Sequence, residues 1–252
     1  MSVALACEGL TKRYGHVAAL RNVNLSVVPG ECVAIFGRNG AGKSTFLQIA
    51  GSLIRSFEGR LDIFGQDIRK AELDTRRAVG FVLHDLCLYS DLSVLDNLRF
   101  FARLYGVQDP EAQARALLER VELDTRAAST IRELSRGMKQ RAAIARALVH
   151  DPRLLLLDEP FTGLDEISSQ SLATMLRDFA NRGGTILMST HDVERAYPVA
   201  TRAVILERGV LTYDRPTAEA DLAAFRHAYW TVLFTGEPRG AGAAPVAERP
   251  RA

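Results

Sequence analysis

The chain has few of the residues that mark secreted, fibrous or nucleic-acid-binding proteins. It holds three cysteines in 252 residues, Cys7, Cys32 and Cys87, scattered and without a C-x-x-C spacing. That pattern offers neither a disulfide framework nor a thiolate metal site, and it reads all three as small buried apolar residues of a reducing compartment. Neither charge is in excess: 32 Lys and Arg stand against 30 Asp and Glu, a net +2. So balanced a chain gives no electrostatic case for a nucleic acid partner. No apolar run approaches the ~18 residues of a membrane span. Residues 1–8 lack a basic region and meet an acid early, so they do not read as a signal peptide. The expectation is a cytosolic protein that any work at a membrane would bring there through a partner. Internal repeats are absent too. What is present is 47% hydrophobic, enough for one substantial core.

One stretch carries specific chemistry. Gly37-Arg38-Asn39-Gly40-Ala41-Gly42-Lys43-Ser44-Thr45 has the spacing G-x-x-x-x-G-K-S. The apolar run before it, residues 32–36, reads as a buried strand, and residues 45–50 read as the opening of a helix. Glycines let backbone N–H groups close around phosphate oxygens, and a helix N-terminus adds partial positive charge. Lys43 can reach the β- and γ-phosphates, and the Ser44 hydroxyl is placed to ligand Mg²⁺.

Along the chain, alternating apolar residues in 3–10 and 20–27 predict half-buried antiparallel strands. Residues 59–65 and 79–83 read as further strands. From about Ser93 the period becomes helical, with Val94, Leu95, Leu98, Phe101, Ala102 and Tyr105 on one face. Asp109-Pro110-Glu111 is a helix start, and residues 86–150 read as a mostly helical insertion in an α/β core. The runs 154–157 and 184–189 are expected to be parallel strands covered on both faces, and 204–212 a closing hairpin turning at Arg208-Gly209. Ala223, Ala224, Phe225, Ala228 and Trp230 read as a short packed helix. Residues 1–235 form one expected unit, and 236–252, rich in Gly, Ala, Pro and charge, are expected to be disordered.

Asp158 and Glu159 end the run 154–157, which places two carboxylates at a strand's C-terminal edge beside the phosphate loop. Asp158 would hold Mg²⁺, and Glu159 would act as general base toward an attacking water. His191 leaves the same edge after Ile186-Leu187-Met188, where an imidazole can bond a γ-phosphate.

With these motifs the chain resembles the ATP-binding subunit of ABC transporters over about residues 3–215. Leu134-Ser135-Arg136-Gly137-Met138, followed by Lys139-Gln140-Arg141, is similar to the signature that separates this family from other phosphate-loop ATPases. The fold implied is α/β: a phosphate-loop NTPase core with an antiparallel β subdomain and a helical subdomain. The resemblance implies ATP and Mg²⁺ as ligands, with Tyr14 stacking on adenine unless it is only an edge-strand tyrosine. It implies that Ser135 and Gly137 reach the γ-phosphate held by a second ATP-binding subunit, identical or closely related, and that Asp165 of Gly163-Leu164-Asp165 links the two sites. It further implies an integral membrane permease that holds the protein on the inner face of the cell membrane.

Two departures stand out. The family's signature reads L-S-G-G-Q, where this chain has Arg136 and Met138. After the strand at 79–83 the family usually has a glutamine touching Mg²⁺ and water, where this chain has His84-Asp85. Asp85 could take the cation and His84 could hydrogen bond, and the assignment between them stays open. Residues 85–100, and the pairing of Arg136-Gly137-Met138 with Pro160-Phe161-Thr162-Gly163-Leu164-Asp165, are similar to haem exporter subunits of cytochrome c maturation, and multidrug and polysaccharide export subunits share much of this pattern. The competing class is a soluble ABC-type ATPase, such as an iron–sulfur assembly subunit.

Overall fold

In the computed structural model, which describes residues 3–83 and 85–235, the alternating residues at the start of the chain form a ribbon. β1 (Leu5–Tyr14) pairs antiparallel with β2 (Val17–Val27), Leu5 opposite Val27 and Tyr14 opposite Val17. β1 continues past Leu10 because the register shifts near Gly9, which sits at φ 61°; a bulge bends the strand without ending it. The chain then enters β3 (Cys32–Phe36) and α1 (Lys43–Ala50). β4 (Glu58–Ile63) and the two-residue β5 (Gln66–Asp67) complete an antiparallel sheet of order β2-β1-β4-β5.

The short α2 (Leu73–Arg77) leads into β6 (Val79–Val82). Three helices follow: α3 (Val94–Leu104), α4 (Pro110–Arg120) and α5 (Arg136–Leu148). Their starts are local chemistry. Ser93 accepts from Asp96 N at 3.0 Å, Asp109 from Ala112 N at 3.0 Å, and Ser135 from Met138 N at 3.3 Å, each such cap stabilising by about 1 kcal/mol. The second half runs β7 (Leu154–Asp158), α6 (Glu166–Asn181), β8 (Thr185–Thr190), α7 (Val193–Ala196), β9 (Arg202–Glu207), β10 (Val210–Pro216) and α8 (Leu222–Thr235).

The larger sheet has the order β10-β9-β3-β8-β7-β6, parallel except for the edge strand β10. β3, β7 and β8 are buried along their whole length, which is why they read as unbroken apolar runs. Side chains alternate between two cores. Val33, Ile35, Leu154, Leu156 and Leu187 pack with α1 and the antiparallel sheet. Ala34, Phe36, Leu155, Leu157, Ile186 and Met188 pack with α5, α6 and α8. Each fully buried Leu, Ile, Val or Phe contributes about 1.5–3 kcal/mol, so the sheet centre dominates stability.

Two expectations are corrected. Cys87 is exposed, unlike buried Cys7 and Cys32; it lies in the irregular segment after β6, at φ 50°, where no layer covers it. The terminal helix is longer than expected, and Trp230 points outward while Phe225, Tyr229 and Val232 are buried. His84 and the tail from Gly236 lie outside the described residues. Among those described, no helix is long and apolar enough to cross a membrane.

Candidate functional site

Parallel register assembles the site. Phe36 is opposite Thr190 and Asp158 is opposite Ser189, so the residues that follow β3, β7 and β8 emerge together at one sheet edge. These are Gly37–Gly42 of the phosphate loop, Glu159, and His191.

The loop's shape depends on close backbone approach. A Cβ at Gly42, whose φ is 109°, would lie 2.3 Å from the Ala19 carbonyl of β2, and one at Gly37 would lie 2.3 Å from the Leu206 carbonyl of β9. The turn between β9 and β10 braces the same loop: Gly209 N–H donates to Ala41 O at 2.9 Å, and Arg21 N–H donates to Gly209 O at 2.8 Å. Gly42 stands at the N-terminus of α1 with no side-chain cap. The first N–H groups of that helix are therefore left for an anion. This uncapped glycine cradle fits a nucleotide's phosphates.

Lys43 is buried, only 6% exposed. Its Nζ donates to Gly37 O at 2.8 Å and lies 3.1 Å from Glu159 Oε1. Ser44 Oγ donates to Asp158 Oδ1 at 3.1 Å, and Ser189 Oγ donates to the same oxygen. A hydroxyl and a carboxylate so paired are hard oxygen donors suited to Mg²⁺. Among the described residues no group of three His, Cys, Asp or Glu side chains could hold a metal by itself, so phosphate oxygens and water would have to complete such a shell.

Glu159 carries backbone strain, with φ 52°, an unusual conformation for a non-glycine residue that is held by its surroundings. Oε2 receives Thr162 Oγ1–H at 3.3 Å and His191 N–H at 3.3 Å, and His191 Nδ1 lies 2.9 Å away. Burial pushes the carboxyl's pKa up, but the His191 hydrogen bond and the Lys43 charge together outweigh it, and the group sits below its usual value. It is therefore an ionised carboxylate at neutral pH, an acceptor for a proton on His191 Nδ1.

The other expected residues are placed as follows. Tyr14 is half exposed at the tip of the β1–β2 ribbon, with Lys12 Nζ 4.9 Å from its ring centroid. Arg38 and Asn39 line a cleft with His191, while Gly40, at φ 81°, has open space where a Cβ would stand. Thr45 belongs to α1. Ser135 caps α5 and Gly137 packs on α6, where a Cβ would fall 2.3 Å from Ser168 Oγ; neither hydrogen bonds to its own chain's phosphate loop. Arg136, the departure in the signature, lies over Gly163 so closely that a Cβ there would be 2.3 Å from its guanidinium carbon. Asp165 caps α6, accepting from Ser168 N–H at 2.7 Å. Asp85 is exposed and accepts from Cys87 N–H at 3.2 Å, with no hydrogen bond to Ser44 or Asp158.

Sequence reasoning missed the parts played by Ser189, Thr162 and Gly209. Ser189 left a trace as a polar residue at the end of an apolar run. Thr162 stands only three residues from Glu159, and Gly209 was legible as a turn, but its brace on Ala41 joins segments distant in sequence.

A family model described as ABC transporter matches residues 20–162. The Nod factor export ATP-binding protein I of Cupriavidus metallidurans is 36% identical over 211 residues, covering 83% of this chain and 70% of that protein. Its counterpart in Burkholderia orbicola is 38% identical over 212 residues, with the same coverage. Among solved structures, the dimeric post-hydrolysis state of the ATP-binding cassette MJ0796 bound to ADP and Pi superposes with TM-score 0.78 at 30% identity, covering 84% of this chain and 98% of that one. With its phosphate loop, paired acids and edge histidine in one place, the chain belongs to the ABC transporter family and is an ATP-binding cassette that hydrolyses ATP in coupling to transport.

Proposed function

We propose that this protein powers an exporter by binding and hydrolysing ATP between two cassettes, with a separate integral membrane permease carrying the cargo. The carrying observation is the carboxylate of Glu159, ionised and held between Lys43 and His191 at the mouth of the phosphate loop. In this reading Glu159 is the general base that takes a proton from the attacking water. Lys43 leaves Glu159 to bind the β- and γ-phosphates, and His191 bonds the γ-phosphate. The phosphate-loop residues Gly37, Arg38, Asn39, Gly40, Ala41, Gly42 and Thr45 wrap the triphosphate, and Tyr14 stacks on adenine. Ser44 and Asp158 hold Mg²⁺, which when bound withdraws charge from the phosphates; exposed Asp85 is a further candidate. Ser135 and Gly137 complete the partner's site, which would explain why neither hydrogen bonds to its own loop. Closure then depends on a γ-phosphate that touches both subunits, and hydrolysis removes it.

For cargo, the favoured reading is the class carried by the Nod factor exporters, because that likeness spans 211 residues, whereas the likeness to haem exporters rests on two short segments. The partner would dock on the exposed apolar face of α3, where Tyr89 packs edge-on against Phe100 at 5.1 Å and Leu104 lies one turn further on. The test is co-purification of Glu159→Gln with ATP in mild detergent. A stoichiometric polytopic membrane protein is expected, and recovery of soluble partners alone would refute the exporter reading.

A further inference from the structure

α8 carries aromatic rings on two sides, and the described residues cover only one of them. Its inner face is bolted to the catalytic edge. Phe225 lies 4.8 Å from Phe36, the residue before the phosphate loop, and stacks on Tyr197 at 4.5 Å. Arg226 pairs with Glu194 of α7 at 3.1 Å. Tyr229 is buried. The outer face carries Trp230, 49% exposed, stacked at 5.7 Å on Phe234, 81% exposed. These rings form one wall of a cleft of about 660 Å³ whose other wall is Arg38, Asn39, His191 and Val193 with Asp192 and Glu194, the two acids being paired with Arg195 and Arg226. Exposed rings grouped in this way mark an interaction site, and these open directly beside the nucleotide site.

The same chain carries a matching piece elsewhere. Ile167, in the first turn of α6, is 81% exposed. It follows the loop that begins at Glu159 and so leaves the same sheet edge, yet it takes no part in lining the α8 cleft of its own protomer. Glu166 beside it is acidic, while Arg38 in the cleft has no ion pair among the described residues. In a two-fold dimer each patch is used twice, so knob and cleft on one chain satisfy each other across the axis. The solved cassette relatives at 30% identity are dimers.

We infer that the cleft between α8 and the phosphate loop receives Ile167 of a second copy of this chain, with Glu166 against Arg38, so that α8 forms an apolar seal beside the ATP sandwich. The inference rests on the two-cassette reading above. Because α8 is fastened to both Phe36 and α7, seating Ile167 would also register whether the phosphate loop and His191 are in place.

Two readouts test it. In a Cys87→Ser, Glu159→Gln background, Ile167→Cys with Phe234→Cys should form an intermolecular disulfide with MgATP and not with ADP, since the bond needs the Cα atoms within about 7 Å. Trp230 is the only tryptophan, so in Glu159→Gln its emission should shift to the blue and resist iodide quenching when ATP is added. Trp230→Ala and Ile167→Ser should each weaken dimerisation by about tenfold or more while leaving the binding of a fluorescent ATP analogue unchanged. An ATP-dependent dimer in sedimentation with no cross-link and unchanged emission would overturn the inference and leave the two-cassette reading standing. An emission shift in a protein that stays monomeric would assign the cleft to another occupant and overturn it as well. Failure to bind the ATP analogue would overturn both.

Discussion

Gly42→Ala separates backbone geometry from side-chain chemistry at the phosphate loop. Gly42 sits at φ 109°, and an added Cβ would lie 2.3 Å from Ala19 O and 3.0 Å from Leu20 Cδ2. The backbone conformation alone costs an L-residue about 1–3 kcal/mol. The clash cannot be relieved by rotating a side chain, because Ala19 O belongs to β2, and β2 is pinned by its pairing with β1. Either the loop or the strand must move, which adds overpacking of about 1–3 kcal/mol. The total expected loss is roughly 2–6 kcal/mol, and whatever folds will aim its N–H groups wrongly. Gly40→Ala is the control: its φ of 81° carries the conformational cost, but nothing lies within 4 Å of the new Cβ. Urea denaturation of the two variants and of the parent, with titration of a fluorescent ATP analogue, measures both effects. The reasoning is refuted if Gly42→Ala proves as stable as Gly40→Ala and binds nucleotide equally well.

Further outcomes follow from the same contacts. Glu159→Gln should retain ATP binding and lose about 10²–10⁴-fold in turnover, the usual worth of a general base; near-normal phosphate release would remove Glu159 from that role. Because the Glu159 carboxyl is held below its usual value by His191 and Lys43 against the cost of burial, its contribution to stability is present above the unfolded pKa and is lost as pH falls through the folded one. His191→Ala removes the largest of those holds, so the folded pKa rises toward the unfolded one and the stability lost to acid should shrink, read as a flatter fall of urea midpoints between about pH 6 and 3; superimposable profiles would contradict it. Burial pushes the Cys7 and Cys32 thiols up to about 12, whereas Cys87 is exposed. Maleimide at neutral pH should label the native protein once, at Cys87, and Cys87→Ser should abolish that labelling.

The sequence by itself determined what is local. Strand, glycine loop and helix at residues 32–50 were legible because they form one contiguous unit with fixed spacing. The cap Asp109 was legible because it binds a backbone N–H three residues on. The parallel strands showed themselves as unbroken apolar runs, since burial on both faces leaves no polar alternation to read. Tertiary structure alone decided which distant segments meet. Gly209 bracing Ala41, Ser189 sharing Asp158 with Ser44, and Arg136 lying over Gly163 all join residues far apart in the chain. Cys87 was misread because exposure depends on which layer covers a loop, and composition does not encode that. The two faces of α8 were beyond sequence for the same reason: an apolar helix states that it must be covered, and only the packed protein shows which face still is not.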